Sequence, residues 1–430
     1  MQAIILAAGE SSRFWPLNRQ HKSQIKILGR PLIYWTIKGL EEKGIKDIVI
    51  VISPSSFLKE ELAGSDLTSN ISYTIQEKPL GTGNAVFQAK DLIKEPFFII
   101  WPYKIDSKEL VTQILEKYEK DNLEAVLVGN QTGKPWEYGI LRIERDKVLE
   151  IVENPKPGEE PSQIKLSGNY LLGPDFFSYY QNLTNHHEED LIDALNIYIK
   201  DKKTGFILLD KKISSLKYPW DVLELVKVQM ESKYFKNYIS PSASVGKNVV
   251  ISGQVYISDN VVIGDNSIIT GPCYFGSNAK IGVNNIFRGP VNIEKDVITG
   301  AFTEIKNSLI QEGTHIHSGY FGDSVIGKDC RFGAGFITAN RRIDRSNIIT
   351  VVKGKEVDTG LSYFGNIIGD NTRSGINSGT MPGVLIGSNC LIGPGTIVFQ
   401  NLEDNMTYYT EFKGIKKERK DGFSDSSKIK

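Results

Sequence analysis

The chain has 430 residues, is 40% apolar, and balances 51 Lys plus Arg against 51 Asp plus Glu. That length exceeds one core and fits two domains, and the balanced charge offers no global attraction to nucleic acid or to an anionic membrane. No apolar run reaches the roughly 18 residues of a spanning helix, and the opening M-Q-A-I-I-L-A-A-G has no basic start of a secretory signal, so a cytoplasmic protein is expected.

Through about residue 230, short β-branched or aromatic-rich runs at 3–7, 47–52, 72–76 and 97–101 alternate with helical stretches at 31–43, 57–63 and 84–93. That alternation predicts an α/β domain with a mostly parallel, right-handed wound sheet. Ligands of such sheets bind at the carboxyl ends of the strands. The turn after the first run, L-A-A-G-E-S-S-R at 6–13, offers backbone N–H groups to a phosphate, with Arg13 adding charge.

Near Tyr238 the pattern changes. Ile239, Val245, Ile251, Ile257, Ile263, Ile269, Phe275, Ile281, Phe287 and Ile293 fall every six residues, and Ile305, Ile326, Phe332, Ile368, Ile386, Ile392 and Val398 continue the series with breaks. No helix of period 3.6 holds that spacing on one face. A β-solenoid does, each six-residue unit forming one flat side with one inward apolar residue. The expected architecture is therefore an α/β domain, 1–230, followed by a left-handed parallel β-helix of hexapeptide repeats, 238–400, and a basic tail, 401–430. Cys273, Cys330 and Cys390 each precede an inward position by two and are read as small buried fillers. The count slips around 315–320 and is interrupted at 341–364, a loop carrying Lys353 and Lys355; interruptions of this kind usually carry function.

The continuation of the first turn is more specific. Gly9-x-x-x-Arg13-x-x-Pro16-Leu17, then Lys22, then Gly29-x-Pro31-Leu32-Ile33 resembles the signature of sugar-1-phosphate nucleotidylyltransferases. Gln76 with Gly81-Thr82-Gly83 looks like that family's base-reading segment. Tyr138-Gly139, Glu153-Asn154-Pro155 and Gly168-x-Tyr170 fall where it keeps sugar contacts. With the solenoid attached, the chain resembles the bifunctional N-acetylglucosamine-1-phosphate uridylyltransferase / glucosamine-1-phosphate acetyltransferase family. The resemblance implies a Rossmann-like nucleotidyltransferase domain that joins a sugar 1-phosphate to a nucleoside triphosphate and releases pyrophosphate. Leu6, Ala8, Gly9, Arg13, Lys22, Gln76, Gly81 and Thr82 would hold the nucleotide and its phosphates, and Tyr138, Gly139, Glu153 and Tyr170 the sugar.

The departures concern the metal. The family's Mg²⁺-binding Asp falls at Tyr103 here and its second acidic ligand at Ser215; Leu166 and Asn154 replace an expected Asn and Lys. Mg²⁺ prefers carboxylate and phosphate oxygens, and phosphoryl-type transfer relies on it to offset charge. Asp106 is the nearest alternative ligand. Mg²⁺ is implied by the family and opposed by these residues.

In the solenoid, H-S-G-Y-F-G-D at 317–323 and G-A-G-F-I-T-A-N at 333–340 resemble the family's acetyltransferase segments, and Glu304-Ile305-Lys306 its sugar-phosphate lysine segment. The resemblance implies acetyl-CoA as co-substrate and His317, Tyr320, Asn340 and Lys306 as the catalytic set. The residue types suit the chemistry. Neutral His is the usual base for an attacking amine near pH 7, and Tyr320 or backbone N–H groups answer a developing oxyanion. Arg288, Lys353 or Lys355 would join Lys306 on the sugar phosphate. His315 is the rival base, and Arg331 stands where relatives often have Asn.

The expected partners are a sugar 1-phosphate, a nucleoside triphosphate and acetyl-CoA, with no nucleic acid and no membrane, in a homotrimer. The leading expectation is amino-sugar 1-phosphate acetylation beside a nucleotidylyltransferase half with a degenerate metal site. The alternatives are full bifunctionality with an altered metal site, and a non-catalytic nucleotide-binding sensor on a trimerising β-helix.

Overall fold

A computed structural model describes residues 1–145, 147–209 and 216–417. Its first half is built on a sheet in the spatial order Thr204–Leu209, Ala125–Gln131, Ile164–Leu172, Phe97–Ile100, Gln2–Ala7, Asp47–Ile52, Asn70–Ile75. Pairing is parallel throughout except at Ile164–Leu172, which runs antiparallel to both neighbours. The expected strands at 3–7, 47–52, 72–76 and 97–101 are present within two residues. The helix expected over 84–93 runs Thr82–Phe87 and then continues as a 3₁₀ turn, Lys90–Leu92. Because the first, fourth and fifth of these strands point the same way, their carboxyl ends at Leu209, Ile100 and Ala7 lie on one edge of the sheet.

From Tyr238 the chain winds as a parallel β-helix. The rung Ile239, Ile257, Phe275, Ile293 repeats every 18 residues, three units of six. Corner residues adopt left-handed backbone, and Asn occupies many of them: Asn248, Asn260, Asn266, Asn278 and Asn284 all have positive φ. Asn tolerates that conformation because its short amide bonds locally. Here the amides also bond from coil to coil, Asn248 to Asn266 at 3.2 Å and Asn260 to Asn278 at 3.3 Å. The inward apolar residues are buried from Ile257 onward, while Ile239 and Val245 cap the open first coil and are exposed. All three cysteines are free and buried, with burial pushing the Cys273 thiol up to about 12.

One boundary and the spacing of the repeat differ from the sequence reading. The rungs do not stop at 400: Leu402 bridges Ile386, and Thr407–Tyr408 pairs with Leu391–Ile392. Residues 418–430 of the basic tail lie outside the described residues. The slip is also threefold. Ile305 to Ile310, Ile316 to Phe321, and Phe321 to Ile326 are each five residues apart, and all five residues are buried. Only the second of these lies where the sequence placed it.

The two halves share one core. The apolar cluster beneath the sheet's first helix, Leu32–Glu42, takes in Tyr274, Leu309, Val325, Phe364 and Leu385 of the β-helix. Along this seam Leu28 N–H donates to Asn292 Oδ1 at 2.8 Å, and Lys26 pairs with Glu312 at 2.8 Å. Gly29, part of the nucleotidylyltransferase-like signature, sits at φ +75° with Tyr274 OH only 2.5 Å from where a Cβ would stand. Its missing side chain therefore serves the docking of the halves as well as the turn.

Candidate active sites

The carboxyl edge of the sheet opens into a cleft of about 1240 Å³. The turn 11–14 forms one wall, Trp101, Tyr103 and Lys104 the floor, and Glu137, Tyr138 and 165–167 the far wall. Lys22 reaches in from its 3₁₀ turn, held by a 2.8 Å bond from Nζ to Leu216 O. Burial pulls the Lys22 and Lys104 ammonium groups down to about 8. Lys165 lies 4.1 Å and Lys217 5.5 Å from the Tyr138 ring centroid. Among the described lining residues, Arg13, Lys22, Lys104, Lys165 and Lys217, joined by Lys353 and Lys355, face a single acid, Glu137.

Of the residues expected here, Arg13, Lys22, Tyr103 and Tyr138 line the cleft. Leu6 and Ala8 are buried beneath it, and Gly9 is exposed at the turn. Gln76, Gly81 and Thr82 are not part of the lining. The Gln76 amide donates to Gly81 O and Asn84 Oδ1, both at 3.0 Å, and the Glu188 backbone lies against Gly81 so closely that any Cβ there would collide. Gly139 and Glu153 pair across a hairpin, where burial raises the half-buried Glu153 carboxyl. The Tyr170 ring is 3% exposed within the core and does not open on the cleft.

A divalent cation does not fit the described residues at this floor. Tyr103 is packed against Trp101, with ring centroids 6.2 Å apart, and burial raises its phenol so that it stays neutral. The Lys22 ammonium stands 4.5 Å from that ring's centroid. A doubly charged ion at the ring's position would be repelled by this ammonium, a repulsion that the Asp221 carboxylate, which acts on both Lys22 and Tyr103, offsets only in part because it carries one charge. Ser215 lies outside the described residues. Asp106 sits at the start of the helix Ser107–Lys120, with Oδ1 buried and unbonded, and is not among the residues lining the cleft. No group of three or more His, Cys, Asp or Glu among the described residues is arranged to hold a metal.

The second cluster lies at the short corners of the β-helix. Asp323, at a left-handed corner, accepts from Lys306 Nζ at 3.1 Å, Asn307 Nδ2 at 2.7 Å and Asn340 Nδ2 at 2.5 Å. Asn340 Nδ2 also donates to Tyr320 OH at 3.0 Å. Tyr320 OH accepts in that bond, which leaves its own proton to be donated elsewhere. His317 is exposed at the corner after the His315–Ile316 strand, its N–H fixed to Phe332 O at 3.0 Å. His315 is engaged elsewhere: its Nδ1 lies 2.6 Å from Arg331 Nη1, and burial together with that guanidinium lowers its basicity. Arg288 pairs with Glu304. Lys353 and Lys355, expected beside Lys306, are instead at the N-terminal cleft, because their loop folds into an antiparallel hairpin, Ile349–Val352 with Lys355–Asp358, directed at the other half. A sequence pattern that alternates with a Lys-Gly turn at 353–354 was the available signal for that hairpin.

An α/β domain with a phosphate-type turn beneath a cationic cleft, joined to a hexapeptide β-helix bearing a Tyr–Asn–Lys cluster and an exposed His317 at the neighbouring corner, defines a two-site transferase. Comparison with known proteins agrees. Residues 2–220 match the family described as nucleotidyl transferase. The bifunctional protein GlmU of Methanococcus maripaludis is 38% identical over 416 residues, 95% of this chain and 97% of that protein. The bifunctional sugar-1-phosphate nucleotidylyltransferase/acetyltransferase of Sulfurisphaera tokodaii is 33% identical over 409 residues, 93% and 97% of the two chains. The GlmU protein of Methanocaldococcus jannaschii is 33% identical over 419 residues. The chain belongs to the family of bifunctional sugar-1-phosphate nucleotidylyltransferases/acetyltransferases. No described helix is long and apolar enough to cross a membrane.

Proposed function

We propose that the β-helix unit, 238–400, transfers acetyl from acetyl-CoA to the amine of an amino-sugar 1-phosphate, while the unit 1–230 binds a nucleoside triphosphate and a sugar 1-phosphate and transfers nucleotidyl slowly under Mg²⁺. The observation that carries the first part is the Tyr320–Asn340–Asp323–Lys306 network, with exposed His317 three residues before Tyr320 on the same strand's entry. His317 takes a proton from the attacking amine, nitrogen bonds to the thioester carbonyl carbon, and the C–S bond breaks. The proton passes to the departing thiolate. Tyr320 OH, already accepting from Asn340, donates toward the oxyanion that forms and disappears in between. Lys306, held by Asp323, meets the sugar phosphate.

A homotrimer with this site at the subunit seam is supported by one line of outward side chains. Val250, Ile268, Ile286, Glu304, Tyr320 and Ile337 are register partners on successive coils, and the four apolar members are exposed. An exposed apolar stripe of this kind marks an interface, and Tyr320 lies within it. The slow first half is supported by Tyr103 and Lys22 at the floor of the cleft.

The test is to incubate the full chain with acetyl-CoA and glucosamine 1-phosphate, measuring free thiol, and separately with UTP, Mg²⁺ and hexose or N-acetylamino-sugar 1-phosphates, measuring pyrophosphate. Thiol release with pyrophosphate near background is expected, from a particle that sediments as a trimer. Rapid Mg²⁺-dependent pyrophosphate release overturns the slow half, no thiol release overturns the acetyl transfer, and a stable monomer at micromolar concentration overturns the trimer.

A further inference from the structure

The hairpin Ile349–Val352/Lys355–Asp358 springs from the β-helix between Asn340 and Phe364, yet it completes the cleft of the other half. It is anchored there. Ile348 is buried in the shared core, Val352 and Val357 pack against it, and Phe364 lies 5.6 Å from Trp220. At its tip the Lys353 ammonium donates to Ser12 Oγ at 2.7 Å, across 341 residues of sequence, on the turn that carries Arg13. Lys353 and Gly354 both have positive φ, 52° and 73°. A two-residue turn of that kind prefers Asn-Gly or Asp-Gly, and a Lys at its first position holds a left-handed backbone that its side chain disfavours. Placing Lys there makes sense when its head group is used.

We propose that this hairpin is a working part of the N-terminal site: Lys353 and Lys355, with Arg13 and Lys22, grip the phosphate chain of a nucleoside triphosphate and neutralise it without a divalent cation. The proposal rests on the nucleotide-binding reading of the first half. Seven cations line the cleft beside one lining acid, Glu137, which is itself shared between Lys134 and Lys217, each at 3.6 Å. Outside the lining, Asp221 acts on Lys22 and Asp106 on Lys104, while the hairpin's Lys353 is held by a hydroxyl alone among its described partners. A triphosphate carries close to four negative charges at neutral pH, a demand that Mg²⁺ normally shares. Here the protein supplies that charge from a loop of the β-helix, so the nucleotide site exists only when the two halves are joined.

Calorimetric titration of the full-length protein with UTP, once in Mg²⁺ and once in EDTA, tests this. The dissociation constant in EDTA is expected within about threefold of that in Mg²⁺. The exposed pair Lys353→Gln/Lys355→Gln is expected to weaken UTP binding in EDTA by roughly 10- to 100-fold, as the loss of two charge-assisted contacts should, with an unchanged melting temperature; Lys353→Arg/Lys355→Arg restores binding. UTP binding only in Mg²⁺, or binding indifferent to the double Gln variant, overturns the inference and leaves the nucleotide reading standing. No UTP binding in either buffer overturns both.

Discussion

The two sites treat charge in opposite ways. At the β-helix corners the cations are matched: Lys306 by Asp323, Arg288 by Glu304, and Arg331 spends its guanidinium on His315. What faces outward is a histidine and a phenol. In the cleft, seven lining cations outnumber the acids near them: Glu137 in the lining, with Asp221 acting on Lys22 and Asp106 on Lys104. Charge matching fixes positions in advance of an uncharged nucleophile's attack, which is what proton transfer needs. Charge excess creates a demand that only an anionic ligand meets, at a standing electrostatic cost to the empty protein. One site is therefore built for geometry and the other for binding.

The sharpest way to break this comparison is at His317. His317→Ala is expected to lower kcat for acetyl transfer by about 10²–10⁴-fold, with folding and oligomeric state intact. His315→Ala should leave most of the rate, since its ring is already committed to Arg331. If the two results are reversed, the base sits one rung position away from where the corner geometry puts it.

Removing one matched charge is the next largest effect. Asp323 is nearly buried and holds Lys306, Asn307 and Asn340 together. Asp323→Ala should destabilise the protein by about 2 kcal/mol in urea unfolding, the usual scale for leaving buried donors unpaired. Glu137→Ala, in the cleft, should cost less than about 1 kcal/mol, as for an exposed pair, and should tighten UTP binding. Equal destabilisation by both changes would remove the distinction between the sites.

The smallest effect is a pH dependence. Burial brings Lys22 from 10.5 to about 8. Below pH 8 both the folded and unfolded chains hold this proton, and the folded state carries the cost of a buried ammonium. Between 8 and 10.5 the unfolded chain holds more protons, so this group makes stability rise with pH. Binding runs the other way: UTP affinity should fall several-fold between pH 7.5 and 9.5 as Lys22 and Lys104 lose their charge, and Lys22→Gln should flatten the part of that fall due to Lys22. A profile unchanged by Lys22→Gln would place Lys22 outside the phosphate contacts.

The short-corner cluster was largely legible in the sequence. His317, Tyr320, Asn340 and Lys306 stand within a repeat whose register converts sequence offset directly into position in space, and Lys306, Tyr320 and Asn340 are brought together as expected. The two slips at Asn307 and Asp323 escaped notice, because a lost residue in a period of six leaves the apolar pattern intact except for its phase. In the first half Arg13, Lys22 and Tyr138 were found. Lys104 and Lys165 were not, since an isolated lysine after a strand looks like any solvated one.

The sequence by itself determined the alternation of strands and helices, the β-helix and its inward residues, and the loss of a carboxylate at Tyr103. These are local or periodic properties, written within a few residues of where they act. Only the tertiary structure decided that Gly29 and Lys26 dock the first half onto the coils, and that Lys353 reaches Ser12 rather than Lys306. It also decided that Gln76 bonds to its own turn. Those contacts depend on which way two halves face each other across a shared core, and no spacing along the chain encodes the direction in which a hairpin leaves a solenoid.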